Sequence, residues 1–244
     1  EKLSEQQRTW QGLSSFRLCE QAGGSVQLEW QVAGTEMPRC LTSATACAVG
    51  NGSYVAVFGG LAAGGVGGVG EATRALYIFD TMACTWRDET ALPDAPPPTF
   101  DHAAGAFDGT QTMIVHGGRG SSNPGSATYR AVHLLELSGA SWQWQVLASR
   151  KDVLGQLKGI QVLTESPARR SHTLTTRHGA LTGAMVFGGY GEDDQVTADL
   201  HVLDLERCIW MAIDGAGAVP SARAHHTATL LGPYLAIYGG VDSK

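Results

Sequence analysis

The sequence predicts an all-β protein made of four-stranded antiparallel units of about 50 residues, the blades of a β-propeller. Three observations predict it. A short apolar run ending in paired glycines recurs four times along the chain. After each of the first three pairs comes a largely apolar strand closed by an acid, and a tryptophan stands six residues beyond each acid. The composition agrees: there are 32 glycines in 244 residues and only 16% charged residues, against about 7% and 25% in ordinary soluble domains. Much glycine with little charge points to many tight turns and few solvated helices.

The elements can be justified in order. The apolar runs are Tyr54–Phe58 before Gly59-Gly60, 113–116 before Gly117-Gly118, 185–187 before Gly188-Gly189 and 235–238 before Gly239-Gly240. Paired glycines let a chain turn sharply where neighbouring backbone crowds it. The strands that follow, 74–80, 130–136 and 198–204, are largely apolar and end in Asp80, Glu136 and Asp204. Trp86, Trp142 and Trp210 then mark a fourth strand; an indole there fills the gap between units, with its N–H directed to a partner. Upstream of each glycine pair a polar pair holds a fixed place: His172-Thr173 after Arg169, His226-Thr227 after Arg223, and weaker forms at Thr42-Ser43 after Arg39 and His102-Ala103 after Thr99. The dipeptides Asn51-Gly52 and Asp108-Gly109, with Gly179 or Gly183 and Gly232-Pro233 in the later copies, supply the turn of a hairpin between the first two strands. The same turn explains the glycosylation-like triplet Asn51-Gly52-Ser53.

Arg-x-x-His, an apolar run into Gly-Gly, an acid-terminated strand and then Trp together resemble the kelch repeat, over nearly the whole chain. The resemblance implies a single kelch propeller region spanning 1–244: a partial blade at 1–34, blades at 38–90, 97–148 and 167–215, and the first half of a blade at 220–244. Residues 16–20 and 27–30 read as the acid and tryptophan strands of the partial blade, with ten residues between acid and tryptophan where the other units have six. Kelch rings usually have six or seven blades, so the chain is expected to be an incomplete excerpt of one. The alternative is a small ring closed by the N- and C-terminal half-blades.

Other chemistries find little support. The net charge of −6 argues against a nucleic-acid groove, and no apolar run reaches membrane-spanning length. Gly65-Val-Gly67-Gly-Val-Gly70 matches the dinucleotide string GxGxxG, but a strand follows it where a helix is required. Eight histidines include the pairs His172/His178 and His225-His226, yet no CxxC or HExxH completes a ligand set, so no metal and no cofactor is expected. Five cysteines without a CxxC pair read as small core residues of a reducing compartment, which places the chain inside the cell, in cytoplasm or cytoskeleton.

The function expected is therefore non-enzymatic: a protein–protein interaction scaffold or adaptor, alone or as a subunit of a large assembly, whose loop-rich face docks a partner protein or peptide. The long segments 61–73, 119–129, 147–166 and 190–197 fall on that face, and loops on a rigid scaffold carry recognition. The contact candidates are Arg74, Arg119, Asn123, Arg130, Tyr190, Asp193 and Asp194. Two alternatives stay open. One is a propeller enzyme resembling galactose oxidase or the plant specifier proteins, although nothing in the sequence gathers the tyrosine, histidine and cysteine that galactose oxidase's copper site needs. The other is a purely structural subunit that binds through blade edges.

Overall fold

The computed structural model of the chain describes residues 13–20, 26–33, 36–62, 70–107, 109–123, 125–149, 161–163, 165–177 and 182–242. Among them there are twenty β-strands and no helix. The first hairpin, β1 (Leu13–Glu20) and β2 (Val26–Ala33), sets Phe16 opposite Trp30. A first four-stranded sheet follows, formed by β4 (Thr45–Val49), β5 (Tyr54–Phe58), β8 (Leu76–Asp80) and β9 (Thr85–Asp88) in that order. Short β3 (Leu41–Thr42), β6 (Leu61–Ala62) and β7 (Glu71–Ala72) make a small sheet at its end. The second sheet is β10 (Ala103–Ala106), β11 (Thr112–His116), β12 (Val132–Ser138) and β13 (Ser141–Leu147). In the third, β15 (Thr173–Arg177), β16 (Gly183–Phe187), β17 (Leu200–Asp204) and β18 (Ile209–Ile213) are joined by β14 (Gln161–Leu163) as a fifth, outer strand. The last hairpin is β19 (Thr227–Leu231) with β20 (Tyr234–Tyr238). All pairings are antiparallel, and the four main strands of each of the three sheets follow one another as a meander.

The first strands β4, β10, β15 and β19 stand side by side, so successive sheets pack face to face around a common line. Two cores fill the seams. Val49, Phe58, Leu76 and Ile78 of the first sheet meet Met113, Leu135, Trp142 and Trp144 of the second. Ile114, Val132 and Leu134 of the second meet Leu174, Val186, Leu203 and Trp210 of the third. Strand β8 is consequently buried on both faces, which explains its continuous Leu-Tyr-Ile-Phe run, whereas β19 and β20 alternate exposed and half-buried residues. Among the described residues the hairpins β1–β2 and β19–β20 pair only within themselves, so the two half-blades do not combine into one four-stranded sheet.

The glycine pairs do a different job at each residue. A Cβ on Gly117 would stand 2.2 Å from the Arg169 carbonyl oxygen of the next sheet and 2.8 Å from the His172 ring; one on Gly118 would meet the Phe100 carbonyl of its own sheet at 2.7 Å. Both have positive φ. The N–H of Gly118 donates to Arg169 O across the seam, as Gly60 does to Thr99 O and Gly189 to Arg223 O. The histidine after each of these carbonyls sits against the preceding sheet: His102 Nε2 lies 2.8 Å from Thr45 Oγ1 and His226 Nε2 2.9 Å from Thr173 Oγ1, both on first strands, whereas His172 Nε2 lies 3.0 Å from His116 Nδ1 on a second strand.

This register places two sequence markers differently from the spacing. The residue before each such position is left-handed at Ser43, Asp101, Ser171 and His225 (φ 52–57°), which makes Ala44-Thr45, not Thr42-Ser43, the counterpart of His102-Ala103. The second sheet closes β12 to β13 by a two-residue turn, Gly139-Ala140, because Ser138 pairs with Ser141. The first and third sheets need four residues after Asp80 and Asp204. Trp144, opposite Leu135, is therefore the counterpart of Trp86 opposite Phe79 and Trp210 opposite Leu203; Trp142 is a second buried indole two residues earlier. The indole nitrogens of Trp142, Trp144 and Trp210 have no hydrogen-bond partner among the described residues, contrary to the partner expected from sequence. The acids cap turns: Asp80 Oδ1 accepts from the N–H groups of Met82 and Ala83, and Asp204 Oδ1 from that of Arg207. Asn51 and Gly52 have the left-handed φ expected of them, as do Gly109 and Gly232, while Gly183 lies within β16 opposite Asp204 and Arg177. Asp108, Gly179 and most of the GxGxxG string lie outside the described residues. Of the described cysteines, Cys47 packs on the first core, where burial pushes its thiol up to about 12. Cys84 and Cys208 instead occupy left-handed turn positions.

Candidate functional site

The segments between second and third strands leave the sheets at the same end as the sheet-to-sheet connections. Each folds back as a small ladder. Phe100 bridges Arg119, which bridges Thr128; Arg170 bridges Tyr190, which bridges Val196; Ala224 bridges Val241. These repeat the β3–β6–β7 arrangement. Arg119 and Tyr190 are thus mid-ladder residues, not loop tips. The Arg119 guanidinium lies 4.9 Å over the Phe100 ring and pairs with Asp101 at 3.2 Å. Arg170 lies 4.6 Å over the Tyr190 ring and pairs with Asp194 at 2.8 Å. Arginine and aromatic have exchanged strands between the two copies while the stacking is kept.

The other candidates are more open. Asn123 is exposed in a turn, donating its N–H to Ser121 Oγ at 3.1 Å. Asp193 is exposed and accepts the Gln195 N–H at 3.1 Å, and Arg74 is exposed just before β8. Arg130 reaches across the second seam, binding Glu165 of the connection and Glu192 of the third sheet's loop, the latter at 2.6 Å. Its side chain is 45% exposed, so this cluster of two carboxylates on one guanidinium leaves a negative, water-accessible rim. Arg130 and Glu192 come together from different loops; Arg119 with Asn123, and Tyr190 with Asp193 and Asp194, stay within their own.

Two cavities flank Arg130. One, of about 370 Å³, is polar and lined by Glu165, Ser166, Arg169 and Glu192. The other, of about 240 Å³, lies between Pro96-Pro97 of the first connection and Thr128–His133. Sequence reasoning missed Glu165, Ser166 and His133 and read Thr99 only as a register residue; the one signal for Glu165 and Ser166 was their place just before Arg169. Ser166 Oγ is 2.8 Å from His116 Nε2, whose Nδ1 is 3.0 Å from His172 Nε2. Burial drives the His116 imidazole down to about 3 and His172 well below its ordinary value, so this chain is neutral and poorly suited to accept a proton from Ser166. Among the described residues no group of three His, Cys, Asp or Glu could hold a metal ion, and no helix is long and apolar enough to cross a membrane, which says nothing of β-barrels.

A solved structure, that of YjhT, matches 94% of this chain and 67% of its own, with a TM-score of 0.64 at 15% identity. The fold is a β-propeller. The units described as sheets are its blades. No family model matches the chain. In sequence it is similar to the acyl-CoA-binding domain-containing protein 5 of Arabidopsis thaliana, 28% identical over 162 residues, 65% of this chain and 22% of that protein. It is also similar to the dynein alpha chain of the flagellar outer arm of Chlamydomonas reinhardtii, 29% identical over 186 residues, 72% of this chain and 4% of that protein. The chain thus spans less than a quarter of the length of these relatives.

Proposed function

We propose that this chain is a kelch-type propeller segment that works as a protein–protein interaction module, docking a partner protein or peptide on the loop-bearing end of its blades. The observation that carries the reading is the rim around Arg130. An exposed ion cluster assembled from two blades and their connection stands beside an apolar cavity, the combination of polar border and desolvated centre that protein interfaces use. The relatives support it. Proteins as unlike in name as a dynein chain and an acyl-CoA-binding domain-containing protein share a stretch that is a minor part of each, which fits a recognition module better than a common reaction.

The test is affinity capture from the native source with chemical crosslinking, comparing the wild-type chain with Arg130→Glu/Asp193→Lys. Both residues are exposed, so the variant should melt as the wild type does. Partners held by the wild type and lost by the variant support docking on this end. Partners held equally by both place binding on blade edges and overturn it.

A further inference from the structure

The second and third blades use the same register position in opposite ways. In the third blade Arg169 is ion-paired with Asp199, and His201 Nδ1 lies 3.7 Å from the same carboxylate. Thr99 is the counterpart of Arg169, since the carbonyls of both receive the seam N–H of a glycine pair. Val132 and Leu200 stand opposite His116 and Phe187, so Ala131 is the counterpart of Asp199 and His133 of His201. With threonine and alanine in place of arginine and aspartate, the space that the third blade fills with an ion pair is the 240 Å³ cavity of the second.

Its walls are Pro97, Val115, Tyr129 and Ala131, and its polar lining includes His133. His133 is 7% exposed, and its ring makes no hydrogen bond to any described residue; its ring contact is with Trp144, edge to face at 6.4 Å. Its ring nitrogens are not sealed from solvent, and the residue lines the cavity, so a bound group must bond to them to replace the water it displaces there.

We propose that this cavity receives the phenol of a tyrosine side chain presented by a partner protein, the ring lying against Pro97 and Tyr129 and the hydroxyl bonding to His133. The inference rests on the protein-docking reading and names the chemistry that this surface recognises. A flat apolar body suits the walls. An aliphatic side chain would leave His133 unmatched. A carboxylate would add negative charge beside Glu165 and Glu192, which already outnumber Arg130; a neutral hydroxyl avoids that repulsion.

The pocket can be tested on the chain alone, by titrating it with p-cresol, toluene and 4-methylbenzoate while following the His133 ring and Val115 methyl signals by NMR. p-Cresol is expected to bind saturably, about tenfold more tightly than toluene, the discrimination that one unmatched polar group gives. The carboxylate should bind more weakly still. His133→Phe should abolish the preference for cresol over toluene. Thr99→Arg/Ala131→Asp, which copies the third blade's ion pair, should eliminate binding; Ala131→Leu blocks the same space without charge should the double variant fail to fold. Binding that survives both fillings, toluene or 4-methylbenzoate equal to cresol, or no saturable cresol binding would each overturn the proposal. Cresol binding without partner capture would count against docking on this end and leave the pocket standing; partner capture without cresol binding would do the reverse.

Discussion

His116 Nδ1 lies 3.0 Å from His172 Nε2, a buried contact that replaces a threonine–histidine bond found at the neighbouring seams. His102 and His226 bond to Thr45 and Thr173 and pack edge to face on Phe58 and Phe187. In the second blade Ala103 stands where the threonine would be and His116 where the phenylalanine would be, opposite each other across one ladder step. The two changes compensate: the ring that takes the phenylalanine's space supplies the polar atom that the alanine lost.

Reversing one change alone should therefore hurt. His116→Phe leaves His172 Nε2 and Ser166 Oγ without their partner and should cost about 1–3 kcal/mol. His116→Phe/Ala103→Thr, which rebuilds the neighbouring seams' arrangement, should recover most of that loss. Urea denaturation of the single and double variants measures the coupling.

The buried histidines also set an acid limit. Burial holds His116 near 3 and His102 near 4 in the folded chain, below the ordinary value of 6.5. A depressed folded pKa means that the unfolded state takes up protons first. Stability is then fully present above about 6.5 and declines as pH falls toward 4 and 3. Melting temperatures between pH 8 and pH 4 should drop on the acid side, less steeply for His116→Phe/Ala103→Thr than for the wild type.

Equivalent glycines should differ in tolerance. Gly117 and Gly239 both have φ near +70°, so alanine costs about 1–2 kcal/mol at either. At Gly117 the added Cβ also meets Arg169 O and His172, for about 1–3 kcal/mol more, whereas at Gly239 nothing lies within 4 Å. Denaturant midpoints of Gly117→Ala and Gly239→Ala compare the two.

Two arginines on the same seam should separate stability from recognition. Arg169 is 11% exposed and its partner Asp199 39%, so Arg169→Ala removes a half-buried ion pair and should cost about 1–2 kcal/mol. Arg130 is far more exposed, so Arg130→Ala should change stability by less than about 1 kcal/mol. Calorimetry on both variants decides whether the exposed cluster serves folding or is available for a partner.

Much of this was legible in the chain because its signals are local. Paired glycines, turn dipeptides and acids that cap the turn after them act within a few residues, so the four strands of each unit could be read directly. The contact candidates were legible only as members of long segments. Nothing local reveals that Arg119 and Tyr190 are pinned in ladders by Phe100 and Arg170, or that Arg130 meets Glu192, 62 residues away. The spacing of Trp142 from Glu136 was even misleading, because a two-residue turn shifts the strand and hands the position to Trp144.

By itself, then, the sequence determined the all-β class, the four-stranded repeat and the places where the chain must turn, since backbone conformation and alternation are properties of neighbouring residues. Tertiary structure alone decided which side chains share a seam, where an ion pair in one blade becomes a cavity in the next, and that His133 lines that cavity. Those depend on contacts between residues dozens of positions apart, whose register is set by packing one blade against another.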